Sequence, residues 1–210
     1  MTERTPPPPA IFLDKDGTLI EDVPYNADPD LIRLLPGAGE GARLLHDAGY
    51  ALVVATNQSG IARGYFPMSA IAGVEARLRE LLAPVPLAGF YHCPHHPSGV
   101  VAEYATECDC RKPAPGMLLR AATELHLDLA RSWMVGDILN DVEAGRRAGC
   151  RAALVDNGGE TEWLPGPHRT PDLLAPDLLI AARLILEYET EDETGIEPPR
   201  HGEHQGDLSG

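Results

Sequence analysis

Two carboxylates stand two residues apart at the end of an apolar run, and this is the most informative pattern in the sequence. The apolar residues 11–13 lead directly into Asp14 and Asp16, and Gly17 follows. In an extended chain, residues i and i+2 point to the same side, so Asp14 and Asp16 can face one cation or one substrate. Facing carboxylates repel each other unless a cation lies between them, and an oxygen-only cluster suits Mg²⁺. The pattern indicates chemistry on phosphate, although a strand that ends in an ordinary Asp-Gly turn would also explain it.

A second polar cluster follows the apolar run at residues 50–55. It consists of Thr56, Asn57, Gln58 and Ser59. Its hydroxyls and free backbone N–H groups could hold phosphate oxygens, as loops at helix N-termini do. Helix capping is the alternative interpretation, because such residues cap helices routinely.

A third cluster comes after the apolar run at residues 132–135. Asp137 directly follows Gly136, and Asp141 stands four residues further on. Asp137 could complete a metal site with Asp14. Asp141 could cap the next helix or orient the site, and the sequence leaves both roles open.

Lysine is rare in this chain and occurs only beside these motifs. There are two lysines, Lys15 and Lys112, against fifteen arginines. A compact ammonium can approach a nucleophile and a phosphoryl oxygen where a forked guanidinium would not fit. Lys112 is therefore a candidate for charge stabilisation, with a solvent-facing lysine placed by chance as the alternative.

Strand-like and helix-like patterns alternate along the chain, which predicts an α/β fold with a parallel sheet. The predicted strands are residues 11–13, 50–55, 89–92, 132–135 and 151–155, and the predicted helices are 38–48, 71–82, 117–126, 141–148 and 177–188. Ligands of open parallel sheets bind beyond the carboxyl ends of the strands. The three polar clusters should therefore meet at one edge of the sheet.

Length and charge predict one folded domain with a disordered segment at each end. We expect disorder at residues 1–9, which include four consecutive prolines, a domain at 10–188, and a disordered acidic tail at 189–210. Residues 187–210 carry −7 of the net charge of −15, so the charge says little about the domain and shows no nucleic-acid footprint.

No signal peptide or membrane-length apolar run is apparent. We expect a cytoplasmic monomer with reduced cysteines.

Three of the four cysteines cluster with a histidine around a loop of twelve residues. The four candidate zinc ligands are Cys93, His95, Cys108 and Cys110. Three sulfurs and an imidazole fit a closed, tetrahedral structural zinc site, although the one-residue spacing departs from the commonest pattern. His92 and His96 are not needed as ligands, and the isolated Cys150 is predicted to be a small buried residue. Because Lys112 closely follows Cys110, zinc should also fix the position of Lys112.

Taken in order, these motifs resemble those of the haloacid dehalogenase (HAD) superfamily of phosphohydrolases. The resemblance spans residues 10–187 and implies a three-layer, Rossmann-like parallel sheet without a large cap domain. It implies that Asp14 is the nucleophile, that Asp16 is general acid and then base, and that Thr56 and Lys112 stabilise the transferring group. It also implies Mg²⁺ held by Asp14, the Asp16 main-chain carbonyl and Asp137.

The segment that carries the four candidate zinc ligands, residues 93–110, narrows the resemblance to one group of this superfamily. That group contains the heptose bisphosphate phosphatases and the histidinol-phosphate phosphatases. The long loop and the His96-Pro97 continuation favour the heptose enzymes and imply a small phosphorylated metabolite, a sugar bisphosphate, as substrate. Arg111 would contact its distal phosphate or the sugar, and the other implied substrate contacts are Asp22, Val23, Pro24, Tyr25, Thr56, Asn57, Gln58, Ser59 and Lys112. The chain departs from the heptose pattern at Ile138, where lysine is common, and in the loop at residues 20–26. Histidinol phosphatase and a catalytically silent zinc-stabilised binding module are the alternatives.

Overall fold

The computed structural model describes residues 6–194, whose strands form a six-stranded sheet. The strands are β1 (Pro9–Leu13), β2 (Ala51–Asn57), β3 (Gly89–Cys93), β4 (Asp128–Gly136), β5 (Arg151–Val155) and β6 (Leu173–Ala175). Their order in the sheet is β3-β2-β1-β4-β5-β6, and every neighbouring pair is parallel. The predicted α/β fold with a Rossmann-like parallel sheet is confirmed. The three-residue β6 was not predicted, because so short a segment has no readable period.

Five α-helices in the described part of the chain complete the fold. They are α1 (Ala38–Asp47), α2 (Ile71–Leu82), α3 (Gly116–Leu125), α4 (Leu139–Ala148) and α5 (Leu178–Thr194), with short 3₁₀ turns at Pro29–Leu31 and Met68–Ala70. Only a loop, one of these turns and α1 lie between β1 and β2, so a large cap domain is absent there, as predicted. None of the helices in residues 6–194 is both long and apolar enough to cross a bilayer.

The alternation of side chains along the strands builds a core on each face of the sheet. On β1, Ile11 and Leu13 pack in one cluster with Leu45 of α1 and Ile185 of α5. Phe12 points to the opposite face, where its cluster includes residues of α3 such as Met117. Phe12 is fully buried, which contributes about 2–3 kcal/mol from its apolar surface alone. The sheet between two helical layers gives a rigid base for the side chains at its carboxyl edge.

Regular secondary structure extends past both predicted ends of the domain. Helix α5 continues six residues past the predicted end at 188, because Glu189 accepts hydrogen bonds from Trp133 Nε1 (2.8 Å) and Arg151 Nη1 (2.7 Å). At the other end, β1 begins at Pro9, and the Asp128 N–H donates to the Pro8 carbonyl at 3.0 Å. The predicted disorder of residues 1–5 and 195–210 lies outside the described residues.

Candidate active site

Three carboxylates from two neighbouring strand ends converge at the carboxyl edge of the sheet. Asp14 follows β1, Asp137 follows β4, and Asp141 lies in the first turn of α4. The Asp14 N–H donates to the Val135 carbonyl at 2.9 Å, which extends the β1–β4 pairing into the site. One oxygen from each carboxylate lies within 4.8 Å of the other two, and all three residues are buried. The structure therefore brings together Asp14 and Asp137, as parallel-sheet geometry predicted, and adds Asp141.

The electrostatics of this cluster match a cation site. Burial, and then the charges of Asp14 and Asp141, raise the pKa of Asp137 to about 8. Burial also raises the pKa of Asp141 to about 6, although Lys112 opposes it. A divalent cation among these oxygens would reverse that repulsion, and carboxylate oxygens are ligands that Mg²⁺ prefers. The residues present therefore fit a magnesium ion.

Lys112 lies inside the acidic cluster. Its Nζ is 2.5 Å from Asp14 Oδ1 and 2.5 Å from Asp141 Oδ1, and the residue is 2% exposed. Burial lowers its pKa, but Asp14 and Asp141 together hold that pKa above its ordinary value. Lys112 is therefore a buried ammonium, and the alternative of a solvent-facing lysine is wrong.

Asp141 combines the two roles that the sequence left open. Its Oδ2 accepts a hydrogen bond from the Ile138 N–H at 3.3 Å, while its Oδ1 lies against Lys112. Helix α4 begins at Leu139, two residues before the predicted start, because the Glu160 carboxylate also accepts from the Leu139 N–H at 2.7 Å. Glu160 lies in a distant loop, so the sequence pattern did not reveal this cap.

Gly17 lets the turn after β1 pass close to the carboxylates. Its φ is +78°, and a Cβ built on it would lie 2.2 Å from Asp137 Oδ2. Asn157 Nδ2 donates to the Gly17 carbonyl at 2.6 Å and so ties the β5 loop to this turn. Asn157 was not predicted as a site residue, although a polar segment follows the predicted strand at residues 151–155, as at the other strand ends.

Asp16 is linked to the second polar cluster. Gln58 Nε2 donates to Asp16 Oδ2 at 3.3 Å and to Thr56 Oγ1 at 2.8 Å. The other Asp16 oxygen contacts the buried ammonium of Lys15. Burial is the main cause that raises the pKa of Asp16. Capping alone therefore does not explain Thr56 and Gln58, because their side chains connect to the acidic site.

A cavity of about 320 Å³ opens beside Asp16. Six of the predicted substrate-contact residues line it, namely Asp22, Pro24, Tyr25, Asn57, Gln58 and Ser59. Val23 does not line it and is 36% exposed, whereas Thr56 is buried beneath it and is 1% exposed. The structure thus places most of the predicted contacts around one opening.

Three basic side chains form a group near this cavity: Arg63, His96 and Arg111. The guanidinium carbon of Arg63 lies 5.8 Å from the ring centroid of Tyr25, and Arg63 Nη2 lies 3.2 Å from His96 Nε2. The Ser98 N–H donates to His96 Nδ1 at 3.1 Å, so a neutral His96 carries its proton on Nε2 and turns it toward Arg63. Burial and the charges of Arg111 and Arg63 lower the pKa of His96. Arg63 Nη2 and His96 Nε2 are then both donors, so the contact between them lacks an acceptor.

The basic group also has unused donors. In the described part of the chain, Arg63 Nε and Arg111 Nη1 are buried without a hydrogen-bond partner. Arg111 had been predicted as a substrate contact, whereas Arg63 had no assigned role. Its position became apparent only in the folded chain, because its neighbour His96 is 33 residues away.

The four candidate zinc ligands are grouped as a small cluster. The Cys110 sulfur lies 3.0 Å from Cys93 Sγ, 3.3 Å from Cys108 Sγ and 3.3 Å from His95 Nδ1. A disulfide would require about 2.0 Å, while a tetrahedral zinc with bonds of about 2.3 Å places its ligands roughly 3.7 Å apart. Hydrogen bonding with Cys93, reinforced by His95 and Cys108, lowers the pKa of Cys110 to about 5, which favours the metal-binding thiolate. The donor set fits zinc, and its four ligand atoms lie within 4.8 Å of one another, close enough to bind one ion.

Cys150 lies apart from this cluster, as predicted. It is 3% exposed in the core, and burial raises its pKa to about 12.

The fold and this carboxylate edge define the class of α/β phosphohydrolases with HAD-like architecture. A family model described as HAD-hydrolase-like matches residues 109–181. The D-glycero-beta-D-manno-heptose-1,7-bisphosphate 7-phosphatase of Escherichia coli (strain K12) is 49% identical over 154 residues, which are 72% of this chain and 81% of that protein. The corresponding D-glycero-D-manno-heptose-1,7-bisphosphate 7-phosphatase of Thermosynechococcus vestitus is 41% identical over 191 residues, covering 87% of this chain and 97% of the relative.

A solved structure leads to the same group. The D,D-heptose 1,7-bisphosphate phosphatase of B. bronchiseptica, complexed with magnesium and phosphate, has a TM-score of 0.70 and 32% identity, covering 86% of this chain and 99% of that one. The chain belongs to the HAD superfamily of phosphatases, in the family of the heptose-1,7-bisphosphate 7-phosphatases. The family resemblance seen in the motifs is confirmed.

Proposed function

We propose that this phosphatase removes the 7-phosphate of D-glycero-D-manno-heptose 1,7-bisphosphate through a phosphorylated Asp14. The observation that carries the proposal is the buried contact of 2.5 Å between Asp14 Oδ1 and Lys112 Nζ, at the edge where Asp137 also lies. This contact holds a carboxylate oxygen of Asp14 at the carboxyl edge of the sheet, where it can act as the nucleophile. The names of the relatives supply the substrate.

Asp14 and Asp16 divide the chemistry between them. A carboxylate oxygen of Asp14 attacks phosphorus, the bond between phosphorus and the sugar oxygen breaks, and Asp16 gives its proton to that oxygen. Burial raises the pKa of Asp16, which favours the protonated form needed for this step. Asp16 then takes a proton from a water molecule, whose oxygen attacks phosphorus and releases inorganic phosphate and the Asp14 carboxylate.

Magnesium and the polar side chains would stabilise the negative charge of the phosphate during the transfer. Asp14, Asp137 and the main-chain carbonyl of Asp16 would hold Mg²⁺, which when bound offsets the negative charge of the phosphate. Lys112 donates to the transferring phosphoryl oxygens from inside the site. The Thr56 hydroxyl, held by Gln58 at 2.8 Å, would donate to the same group.

The basic group formed by Arg63, His96 and Arg111 favours a bisphosphate over histidinol phosphate. The Arg63 guanidinium lies against the ring of Tyr25, which lines the cavity, and a second phosphate bound there would accept hydrogen bonds from this basic group. Histidinol phosphate has an imidazole in place of a second phosphate and also carries an ammonium group, which two guanidinium groups would repel. Arg111 keeps the role predicted for it, and Arg63 joins it.

We also propose a structural zinc ion on Cys93, His95, Cys108 and Cys110. It would hold the segment that leads into Arg111 and Lys112, so it would support catalysis without contacting the substrate. A cluster of reduced thiols suits the cytoplasm, where thiols are kept reduced.

A phosphate-release assay tests the proposal. The protein is incubated with Mg²⁺ and heptose 1,7-bisphosphate, histidinol phosphate or a generic aryl phosphate, and Asp14→Asn is the blank. We expect the highest kcat/KM on the bisphosphate. Preference for histidinol phosphate would overturn the assigned substrate. Release no faster than the blank on all three would favour the silent binding module.

A further inference from the structure

Asn57 makes two hydrogen bonds to the main chain of Lys112. Its Nδ2 donates to the Lys112 carbonyl at 3.1 Å, and the Lys112 N–H donates to its Oδ1 at 3.0 Å. The two residues are 55 positions apart in the sequence. One amide side chain therefore pairs with both polar groups of one peptide segment, as a neighbouring strand would.

Asn57 lies in the sheet, whereas Lys112 lies in an irregular segment. Asn57 is the last residue of β2, where it pairs with Cys93 of β3, and the next N–H, that of Gln58, donates to the Cys93 carbonyl at 2.8 Å. Lys112 lies in residues 94–115, a segment that contains no helix or strand. The sheet thus supplies, through Asn57, a fixed point for an irregular segment.

The position of this main chain decides where the Lys112 ammonium lies. Its Nζ contacts Asp14 and Asp141 at 2.5 Å each, so a displaced backbone would draw it away from the nucleophile. Lys112 is 2% exposed, so without the amide its N–H and C=O would be left buried and unpaired, or the segment would have to shift.

We infer that Asn57 is a positioning residue that acts through Lys112, an inference that rests on the proposed phosphatase function. Asn57 also lines the cavity beside Asp16, and the family resemblance implies that it contacts the substrate. One donor and one acceptor of its amide are already used by Lys112. Its main effect is therefore on the rate of phosphoryl transfer rather than on substrate binding.

A double-mutant cycle separates the two roles. We compare the wild type, Asn57→Ala, Lys112→Ala and the double variant with an aryl phosphate and Mg²⁺, after a thermal melt has shown that each variant folds. We expect Asn57→Ala to lower kcat by about 10- to 100-fold with KM within about threefold, because small displacements of catalytic groups slow reactions by this much. In the Lys112→Ala background, the same change should alter kcat by less than about twofold.

Asn57→Asp serves as the second variant if Asn57→Ala does not fold. It keeps the shape of the side chain and the acceptor for the Lys112 N–H, but it replaces the donor to the Lys112 carbonyl with a repelling oxygen. We expect a loss of kcat of about tenfold or more that again vanishes in the Lys112→Ala background.

Two outcomes would overturn the assignment. Equal losses of kcat in both backgrounds would show that Asn57 acts independently of Lys112. A raised KM with unchanged kcat would show that it binds substrate. The wild type compared with Asp14→Asn tests the phosphatase function itself. If the two release phosphate equally fast, the proposed function fails. If the wild type is faster but the effects of Asn57→Ala and Lys112→Ala are additive, only the role of Asn57 fails.

Discussion

Lys112 and Asp141 form a buried ion pair, with 2.5 Å between Nζ and Oδ1 and 2% and 1% exposure of the two side chains. Asp141 is held in turn by the first turn of α4, through the hydrogen bond from the Ile138 N–H. The position of the Lys112 ammonium in the candidate active site is therefore set by a helix that follows β4, in addition to Asp14 after β1. The start of helix α4 and the acidic site are linked at this pair.

Replacing Asp141 should weaken both catalysis and the fold. We expect Asp141→Asn to lower kcat about 10- to 100-fold, because groups that orient catalytic side chains typically have effects of this size. The free energy of unfolding should fall by about 2 kcal/mol, less than for a wholly broken buried pair, because Lys112 keeps Asp14 as a partner. Phosphate release and urea denaturation measure the two effects. Asp47→Asn, at the exposed end of α1, is the control, and turnover of Asp141→Asn equal to it would contradict the prediction.

Gly17 allows a test of the close approach to the metal-site carboxylates. Gly17→Ala combines an unfavourable φ of +78° with a Cβ placed 2.2 Å from Asp137 Oδ2, so Mg²⁺-dependent turnover should fall below about 1% of wild type. Gly49→Ala is the matched control, because its φ is +93° and nothing lies within 4 Å of the added Cβ. We expect it to keep full activity and to lose about 1–2 kcal/mol of stability. Equal activity in the two variants would show that the turn can move away.

The strand ends were the most predictable part of the site. Apolar runs in the sequence predicted β1, β2 and β4. The geometry of parallel sheets then placed Asp14, Thr56 and Asp137 at one edge. This inference needs only local sequence and one rule of topology, which is why it succeeded.

Contacts between distant loops could not be predicted in this way. Asn157 reaches Gly17 across 140 positions, and Arg63 meets His96 across 33. Neither pair has a periodicity or spacing that marks it, because the approach of the two residues depends on how the loops fold over the sheet. Glu160 at the start of α4 is a further example.

The proposed zinc site can be tested with two cysteine variants. Cys108→Ser should lose bound zinc, lower the melting temperature by about 10 °C and lower kcat, because the segment leading into Lys112 loses its anchor. Cys150→Ser should keep zinc and activity, since Cys150 is buried in the core and is not one of the four grouped ligands. Metal analysis, thermal melts and phosphate release measure the three effects. Removal of zinc by a chelator with activity unchanged would refute the link between zinc and catalysis.

Arg63 should affect the bisphosphate more than a simple ester. A hydrogen bond to a charged group contributes about 1.5–3 kcal/mol, so Arg63→Ala should lower kcat/KM on heptose 1,7-bisphosphate by about 10- to 100-fold. On an aryl phosphate, which has no second phosphate, the change should stay within about twofold. Arg77→Ala removes an equal charge from α2, where Arg77 pairs with Glu80, and serves as the control. Equal losses on both substrates would mean that Arg63 does not contact the second phosphate.

The extension of helix α5 to Thr194 predicts a stability contribution from Glu189, one residue beyond the expected end of the domain. Glu189 Oε1 accepts from Nε1 of Trp133, a residue that is fully buried, so Glu189→Ala should leave that N–H unpaired and lower the free energy of unfolding by about 1–3 kcal/mol. Glu189→Gln keeps the acceptor and loses only the charge opposite Arg151, an ion pair in which both side chains are partly exposed. We therefore expect Glu189→Gln to lose less than half as much in urea denaturation, with activity unchanged in both variants. Equal losses in the two variants would assign the effect to the Arg151 ion pair instead of Trp133.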